Sequence, residues 1–510
     1  MKYKILLSKY QIILKFRLIK IFSAIYITVL FLALFALGCR KDELISDEGV
    51  SLAFSTDTVY FDTVLVTLGS VTQYFKIYNP YDQPVEIGHL FLANGENSFF
   101  RLNVDGTSGK DFRNIRIARK DSIFIFVEVT IDPLNENNPL LIKDSVVCTI
   151  NGNQQDVKLL AYGQDVHLLR NEIFQSQTWT GEKPYLIVNN AAIDSNELLT
   201  IEPGTHVYLT PNSSLIVWGR IEAHGTVDNP IVFTGSRFDG RYEVSAGQWG
   251  TIFIHQHSTG NLLEYVTIKN AQAGIQVGYP DNNCHASVEM RNCMILNSGS
   301  VGIYTFSSNI NAYNTVIADC GSIAILIQMG GTYNFYHCTI SNISAYYPGF
   351  YSNDYRSRNL PSLIYTNYFT GLDLDEDYQI VEVTYPKNLE MNFYNSILTG
   401  ALPNEVYYDS INTAGLNYAF DHCLLKIHED SIASFDTNRF ISVIFNGDPD
   451  FINDSISLGD YNFELGNHST AVNAGNMELI QSIPQLQLDY MGRSRVTDGS
   501  PDLGAFEQSE

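Results

Sequence analysis

From residue 50 onward the chain is written in short apolar runs broken by turn formers, the pattern of strands and not of helices. Between 50 and 165 the runs are Thr58-Val59-Tyr60-Phe61, Val64-Leu65-Val66, Tyr74-Phe75-Lys76-Ile77-Tyr78, Ile123 to Val129, and Val157 to Gly163. Asn79-Pro80, Asp82-Gln83-Pro84, Asp132-Pro133 and Asn151-Gly152 separate them. About seven strands over roughly 110 residues predict a sandwich of two sheets. From about 172 the texture changes to a repeat. Tyr265-Val266-Thr267-Ile268-Lys269-Asn270 aligns with the segments beginning at Asn292, Asn314, His337, Asn395 and His422, at spacings of 27, 22, 23, 58 and 27 residues. One short apolar strand per copy at such a period predicts stacked coils of a β-solenoid. Three copies carry a second strand, Gly274–Val277, Gly302–Thr305 and Ala324–Ile327.

Stacking explains the residue choices. Val266, Cys293, Thr315, Cys338, Ser396 and Cys423 are expected to lie above one another in the interior, where only small groups fit. Asn270, Asn297, Asp319 and Asn342 are expected to stack at a turn, where amides hydrogen-bond from coil to coil. The 58-residue gap reads as an insertion at about 344–391, rich in Tyr and Phe and carrying Asp373, Asp375, Glu376 and Asp377. Loops that leave a solenoid are where partner contacts concentrate, so Tyr346, Tyr347, Phe350, Tyr351 and Tyr355 are the candidate ligand-binding residues. The same rings could instead bury the loop against the solenoid.

Three resemblances add to this reading. The Phe-Lys-Ile-Tyr-Asn run at 75–79, Val-Glu-Val-Thr-Ile-Asp-Pro at 127–133 and the closing Leu-Leu-Ala-Tyr-Gly resemble immunoglobulin-like domains of the abnormal-spindle and hydin type. Leu199 to Val207, Ser214 to Thr226, Pro230 to Thr234 and Gln248 to Ile252 resemble the opening coils of bacterial right-handed parallel β-helix proteins, the pectate-lyase-like solenoids. Asp448 to Phe451, Asn467 to Gly475, Asp489 to Arg493 and Pro501 to Glu507 resemble the end segment of secreted and surface β-helix proteins, which implies a last coil and cap. The expected fold class is therefore all-β: an immunoglobulin-like sandwich at 50–165, a right-handed parallel β-helix at 172–446, and a terminal coil and cap at 447–510. In the cap, Asp489, Arg493, Asp502 and Glu507 are expected to form structural ion pairs.

The first 38 residues carry six basic and no acidic residues, then the apolar run Ile21–Leu37 and Ala36-Leu37-Gly38-Cys39. That order is a secretory signal ending in a small-residue cleavage site, and it resembles a bacterial lipobox. The run of 17 residues also just reaches the length of an uncleaved membrane anchor, which its flanks disfavour. Lipidation at Cys39 would tie the protein to outer-membrane lipid, since several acyl chains anchor durably. Cys39-Arg40-Lys41-Asp42-Glu43 resembles the signal by which some Gram-negative lineages place lipoproteins on the outer surface, and 39–49 reads as an acidic tether.

Charge narrows the partners. The net charge is −24, and from Cys39 onward 25 basic residues face 55 acidic ones. Such a balance argues against nucleic acid, which needs clustered Lys and Arg. Cys148, Cys284, Cys293, Cys320, Cys338 and Cys423 are expected as inert buried thiols, with Cys284–Cys293 the nearest pair for a disulfide. No zinc spacing is present. His255 and His257 alternate on a strand, and Asp373, Asp375 and Asp377 hint at calcium, but Tyr378 stands where an EF-hand needs Gly. No catalytic residue, metal site or cofactor is assigned. The expected function is a lipid-anchored, surface-exposed binding or structural module for a glycan or protein. The alternative is a polysaccharide lyase or glycoside hydrolase.

Overall fold

A computed structural model describes residues 43–65, 69–131, 140–238, 242–281, 283–343, 346–348, 355–374, 379–428, 436, 438–454, 461–497 and 499–508, together with positions 23 and 28. The signal segment, Cys39 and the start of the tether lie outside the described residues. Among those described, no helix is long and apolar enough to cross a membrane. The chain divides into two compact units, 1–61 with 70–130 and 141–161, and 62–69 with 131–140 and 162–510.

The first unit is built on two five-stranded sheets. One contains Ala53–Phe54, Gln73–Tyr78, Ser122–Val129, Phe100–Val104 and Thr107–Gly109, paired antiparallel in that order. The other contains Thr58–Leu65, Asn153–Gln164, Leu140–Ile150, Val85–Leu92 and Asp111–Ile117. Alternation of side chains across each strand buries Phe75, Ile77, Ile125, Val127 and Leu102 from the first sheet and Val85, Ile87, Val157 and Leu159 from the second. Asn151 and Gly152 both take positive φ in the two-residue turn between Leu140–Ile150 and Asn153–Gln164, as a tight hairpin requires.

The second unit is one continuous parallel winding of 26 strands. Each strand pairs with the strand one coil later, so three ladders form three faces. The first face runs through Leu198–Ile201, Arg220–His224, Asn261–Glu264, Ser287–Arg291, the later halves of Val301–Tyr313 and Ile323–Tyr336, Leu389–Tyr394 and Leu416–Asp421. The second runs through His206–Leu209, Ile231–Gly235, Val266–Lys269, Met294–Leu296, Val316–Ala318, Thr339–Asn342, Ile397–Gly400 and Leu424–Leu425. The third contains Ser214–Val217, Ile252–Ile254, Ala273–Val277, the earlier halves of the two long strands, Leu363–Thr366 and Val406–Asp409.

The repeat marks a corner. Tyr265, Asn292, Asn314, His337, Asn395 and His422 all take φ between 46° and 51° where the chain turns from the first face to the second. Asn tolerates this left-handed conformation better than most residues. Here the side chains also join coils: Asn314 Nδ2 donates to Asn292 Oδ1 at 3.0 Å, and Asn395 Nδ2 lies 2.8 Å from His337 Nε2. The residues one step on, Val266, Cys293, Thr315, Cys338, Ser396 and Cys423, are all buried. The thiols of Cys293, Cys338 and Cys423 donate to the carbonyls of Leu263, Ala312 and Phe393, and burial pushes each up to about 12. All six described cysteines are free and buried. At the next corner Asn297 Nδ2 donates to Asn270 Oδ1 at 2.7 Å, and Asn342 Oδ1 accepts from the Cys320 amide at 2.6 Å. Inside the first face, Phe335, Phe393, Phe420 and Phe440 stack ring on ring at 4.4, 5.4 and 5.4 Å, close to the strand spacing of about 4.8 Å.

The stretch 344–391 is two excursions separated by a rung of the solenoid. Leu363–Thr366 is the third-face strand of its coil, and its Tyr365, an aromatic of the stretch, is core at 1% exposure. Before it, Arg358 is buried against Glu405 through two hydrogen bonds of 2.6 and 2.8 Å. After it, Tyr368–Leu374 and Ile380–Pro386 form an antiparallel hairpin. The C-terminal segment, expected as a last coil and cap, instead lies lengthwise on the outer side of the second face. There Phe463, Tyr490, Ala505 and Phe506 cover Leu296, Val316 and Ala318, while Leu465, Ala471 and Leu503 cover Ile397 and Leu424. The reason is in the strands: the outward residues Leu296, Val316, Ala318, Ile397 and Leu424 are apolar and need a cover.

Candidate binding surface

The sequence candidates do not converge on one site. Cys39, Phe350 and Tyr351 lie outside the described residues. Tyr346 and Tyr347 sit on the strand Tyr346–Pro348, and Tyr355 on the antiparallel partner Tyr355–Ser357, which sets Tyr355 opposite Pro348. Asp373 is the penultimate residue of the hairpin strand Tyr368–Leu374, and the remaining acids of that cluster are outside the described residues. His255 and His257 stand 5.5 Å apart by ring centroid, with His285 at 5.1 Å from His257. Burial and His257 hold His255 below the ordinary imidazole value. Among the described residues no group of three or more His, Cys, Asp or Glu is placed to hold a metal ion.

The charged residues of the C-terminal segment hold that segment together. Asp489 binds Arg493 at 2.8 Å, Asp502 accepts from the amides of Asn473 and Gln508, and Glu507 pairs with Arg495 at 2.6 Å. Arg495, which sequence reasoning passed over, is the hub of this network: fully buried, it also donates to Asn314 Oδ1 and Gly504 O at 3.0 Å each.

Charge collects on the outer side of the first face. Arg220, Glu222, His224, Glu264, Arg291 and Glu289 form a chain across successive rungs. The links are Arg220–Glu222 at 3.1 Å, His224–Glu222 at 3.8 Å, His224–Glu264 at 3.9 Å and Arg291–Glu264 at 4.0 Å. Arg291 Nε donates to Glu289 Oε1 at 2.6 Å. Each carboxylate is thus tied to a cation on the same flat ladder, whereas glycoside hydrolysis needs two carboxyls facing each other across a bond. Further along, Tyr313, Tyr336 and Tyr394 stack at 5.1 and 5.0 Å within 9° of parallel, beside a ladder of Asn311, Asn334 and Asn392. Tyr336 has both ring faces against its neighbours, and Tyr313 and Tyr394 have one each.

An open aromatic surface lies on the first unit. Tyr74 and Lys76 on Gln73–Tyr78 pair with Phe126 and Phe124 on Ser122–Val129, so all four side chains share the outer face of that sheet. Tyr74 is 57% exposed, Phe124 41% and Phe126 40%. Tyr74 lies 5.5 Å from Phe124 and 6.1 Å from Phe126 by ring centroid, Phe124 and Phe126 lie 5.9 Å apart, and the Lys76 ammonium sits 4.3 Å over Phe124. Polar groups surround the rings: Thr72 donates to Glu128 at 2.7 Å, Arg101 faces Glu128 and donates to Ser108 at 2.8 Å, and Asn103 faces Phe126. Sequence alone missed this surface because Ile123–Val129 is apolar at nearly every position.

No protein-family model matches the chain, and no curated protein matches it. Among solved structures, a family 123 glycoside hydrolase from Clostridium perfringens aligns at 7% identity over 23% of this chain and 30% of its own, with a TM-score of 0.16. An alkylpurine DNA glycosylase from Pseudomonas fluorescens, bound to DNA containing an abasic-site analogue, aligns at 11% identity over 26% of this chain and 33% of its own, with a TM-score of 0.15. The chain thus spans about a third of each. Likeness at this level carries no argument about fold or function.

Proposed function

We propose that this chain is a lipid-anchored cell-envelope protein, facing the exterior, that acts as a non-enzymatic binding module for a glycan or protein partner. In this reading the first unit is an immunoglobulin-like domain and the second a right-handed parallel β-helix, the hand that parallel crossovers take in nearly all proteins. The observation that carries it is the exposed platform of Tyr74, Phe124 and Phe126, three open rings in mutual contact on one sheet face, and apolar surface patches of this order are often functional. The lipobox at Ala36–Cys39 supports the anchor. Cys39→Ser should abolish labelling by a radioactive fatty acid and leave the precursor uncleaved; labelling that persists would sink the anchor. Phe124→Ser with Phe126→Ser should release whatever envelope material co-purifies with the intact protein.

The alternative reading, an enzyme acting on an extracellular glycan, would have to draw on the ion chain of the first face, whose carboxylates are all tied to cations. Incubation with a polysaccharide panel, with and without calcium, tests it. New reducing ends or unsaturated products that vanish in Glu264→Gln would replace the binding reading.

A further inference from the structure

We infer that the Tyr74–Phe124–Phe126 platform binds a neutral glycan chain, an inference that rests on the binding-module reading above. Size comes first. Aromatic side chains hold about 200 Å² each, so the exposures above leave roughly 280 Å² of open ring surface. A standard protein interface buries about 800 Å² per partner with its polar rim included, and these three rings alone supply about a third of that. The platform is the size of one or two sugar rings.

The chemistry agrees. A sugar ring presents patches of polarised C–H bonds at its centre, attracted to the negative face of an aromatic ring, and hydroxyls at its edge that both donate and accept. The platform has the same layout in reverse. Its rings are central, and its rim offers donors in Lys76 and Arg101, an acceptor in Glu128 and an amide with both in Asn103. All of these side chains project from paired strands, so little order has to be gained on binding. The expected glycan is neutral because both rim cations are engaged, Lys76 over the Phe124 ring and Arg101 opposite Glu128 and bonded to Ser108, while the chain as a whole carries −24 and repels a polyanion.

The test is affinity electrophoresis of the full-length, detergent-solubilised protein through gels cast with a neutral β-glucan, a xylan or a galactomannan, with alginate as the charged control. At least one neutral gel should retard the protein. Phe124→Ser with Phe126→Ser should weaken that association at least tenfold, while Tyr74→Phe should keep it. Circular dichroism and thermal melting would show that the double variant keeps the wild-type fold. Should the double variant not fold, Lys76→Met and Asn103→Ala, which trim only the rim, must each weaken retardation. Retardation by alginate alone, by no gel, or equally in wild type and variants overturns the inference. If sedimentation instead shows a wild-type dimer that the variant turns into monomer, or the variant loses only a co-purifying protein, the glycan assignment falls while the binding-module reading stands.

Discussion

Replacing Arg495 with Met should loosen the C-terminal segment from the second face without unwinding the solenoid. Arg495 is fully buried and bonded to Glu507, Asn314 and Gly504, so it ties the last residues of the chain to a corner residue of the coils. Met fills much of the volume but leaves Glu507 buried without its cation. Breaking a buried ion pair from one side costs about 3–5 kcal/mol. Removing the Glu507 charge as well, in Arg495→Met with Glu507→Leu, should recover most of that loss.

The pH dependence makes the reasoning testable. Burial pushes Glu507 up to about 7 even with Arg495 beside it, and Asp502 adds to the rise. Without Arg495 its carboxyl will prefer the neutral form still more strongly. A carboxyl whose folded value is raised favours the fold when protonated, so the variant's deficit should be largest at pH 8 and shrink as pH falls through 7. Buried His337 contacts Gly504 in the same network, and desolvation together with the Arg495 charge holds it well below 6.5. Its share of stability is present above pH 6.5 and lost as pH falls; removing the Arg495 charge relaxes that depression, which also narrows the deficit in acid. Hydrogen exchange of peptides from 461–508, measured from pH 5 to 8, reports the local opening. Unchanged protection in the variant, or a deficit that grows on acidification, would refute the assignment of Arg495 as the hub.

Two further outcomes follow from the interior. Phe393→Ala removes the ring between Phe335 and Phe420 and should cost about 3–5 kcal/mol in chemical denaturation, because the ladder holds its neighbours at fixed spacing and cannot collapse into the cavity. The six described thiols should react with a thiol reagent only after denaturation, since burial raises Cys293, Cys320, Cys338 and Cys423 to about 12; rapid native reaction would contradict their place in the core.

The solenoid was legible because its register is written in the sequence. The spacings of 27, 22, 23, 58 and 27 residues are those by which Thr267, Met294, Val316, Thr339, Ile397 and Leu424 pair. Both the positive-φ corner and the small interior residue repeat at the same place, so two independent constraints fix each copy. The first face had no such marker. Glu222 pairs with Leu262 forty positions later, and Glu264 with Arg291 twenty-seven later, because the coils between differ in length. No fixed period could bring those charges together on paper.

The platform was hidden for a different reason. In Ser122–Val129 the buried residues Ile125, Val127 and Val129 alternate with outward Phe124, Phe126 and Glu128, yet only Glu128 is polar. Alternation reveals a face when its outward residues are hydrophilic; outward rings erase that contrast and make a half-exposed strand read as a fully buried one. The second face carries the same apolar-on-both-sides signature at Val316–Ala318, and there the chain supplies its own cover. Gln73–Tyr78 and Ser122–Val129 leave their outward rings open. An apolar outward row is therefore ambiguous in sequence between a covered row and an open one, and the exposure of Tyr74, Phe124 and Phe126 marks theirs as open.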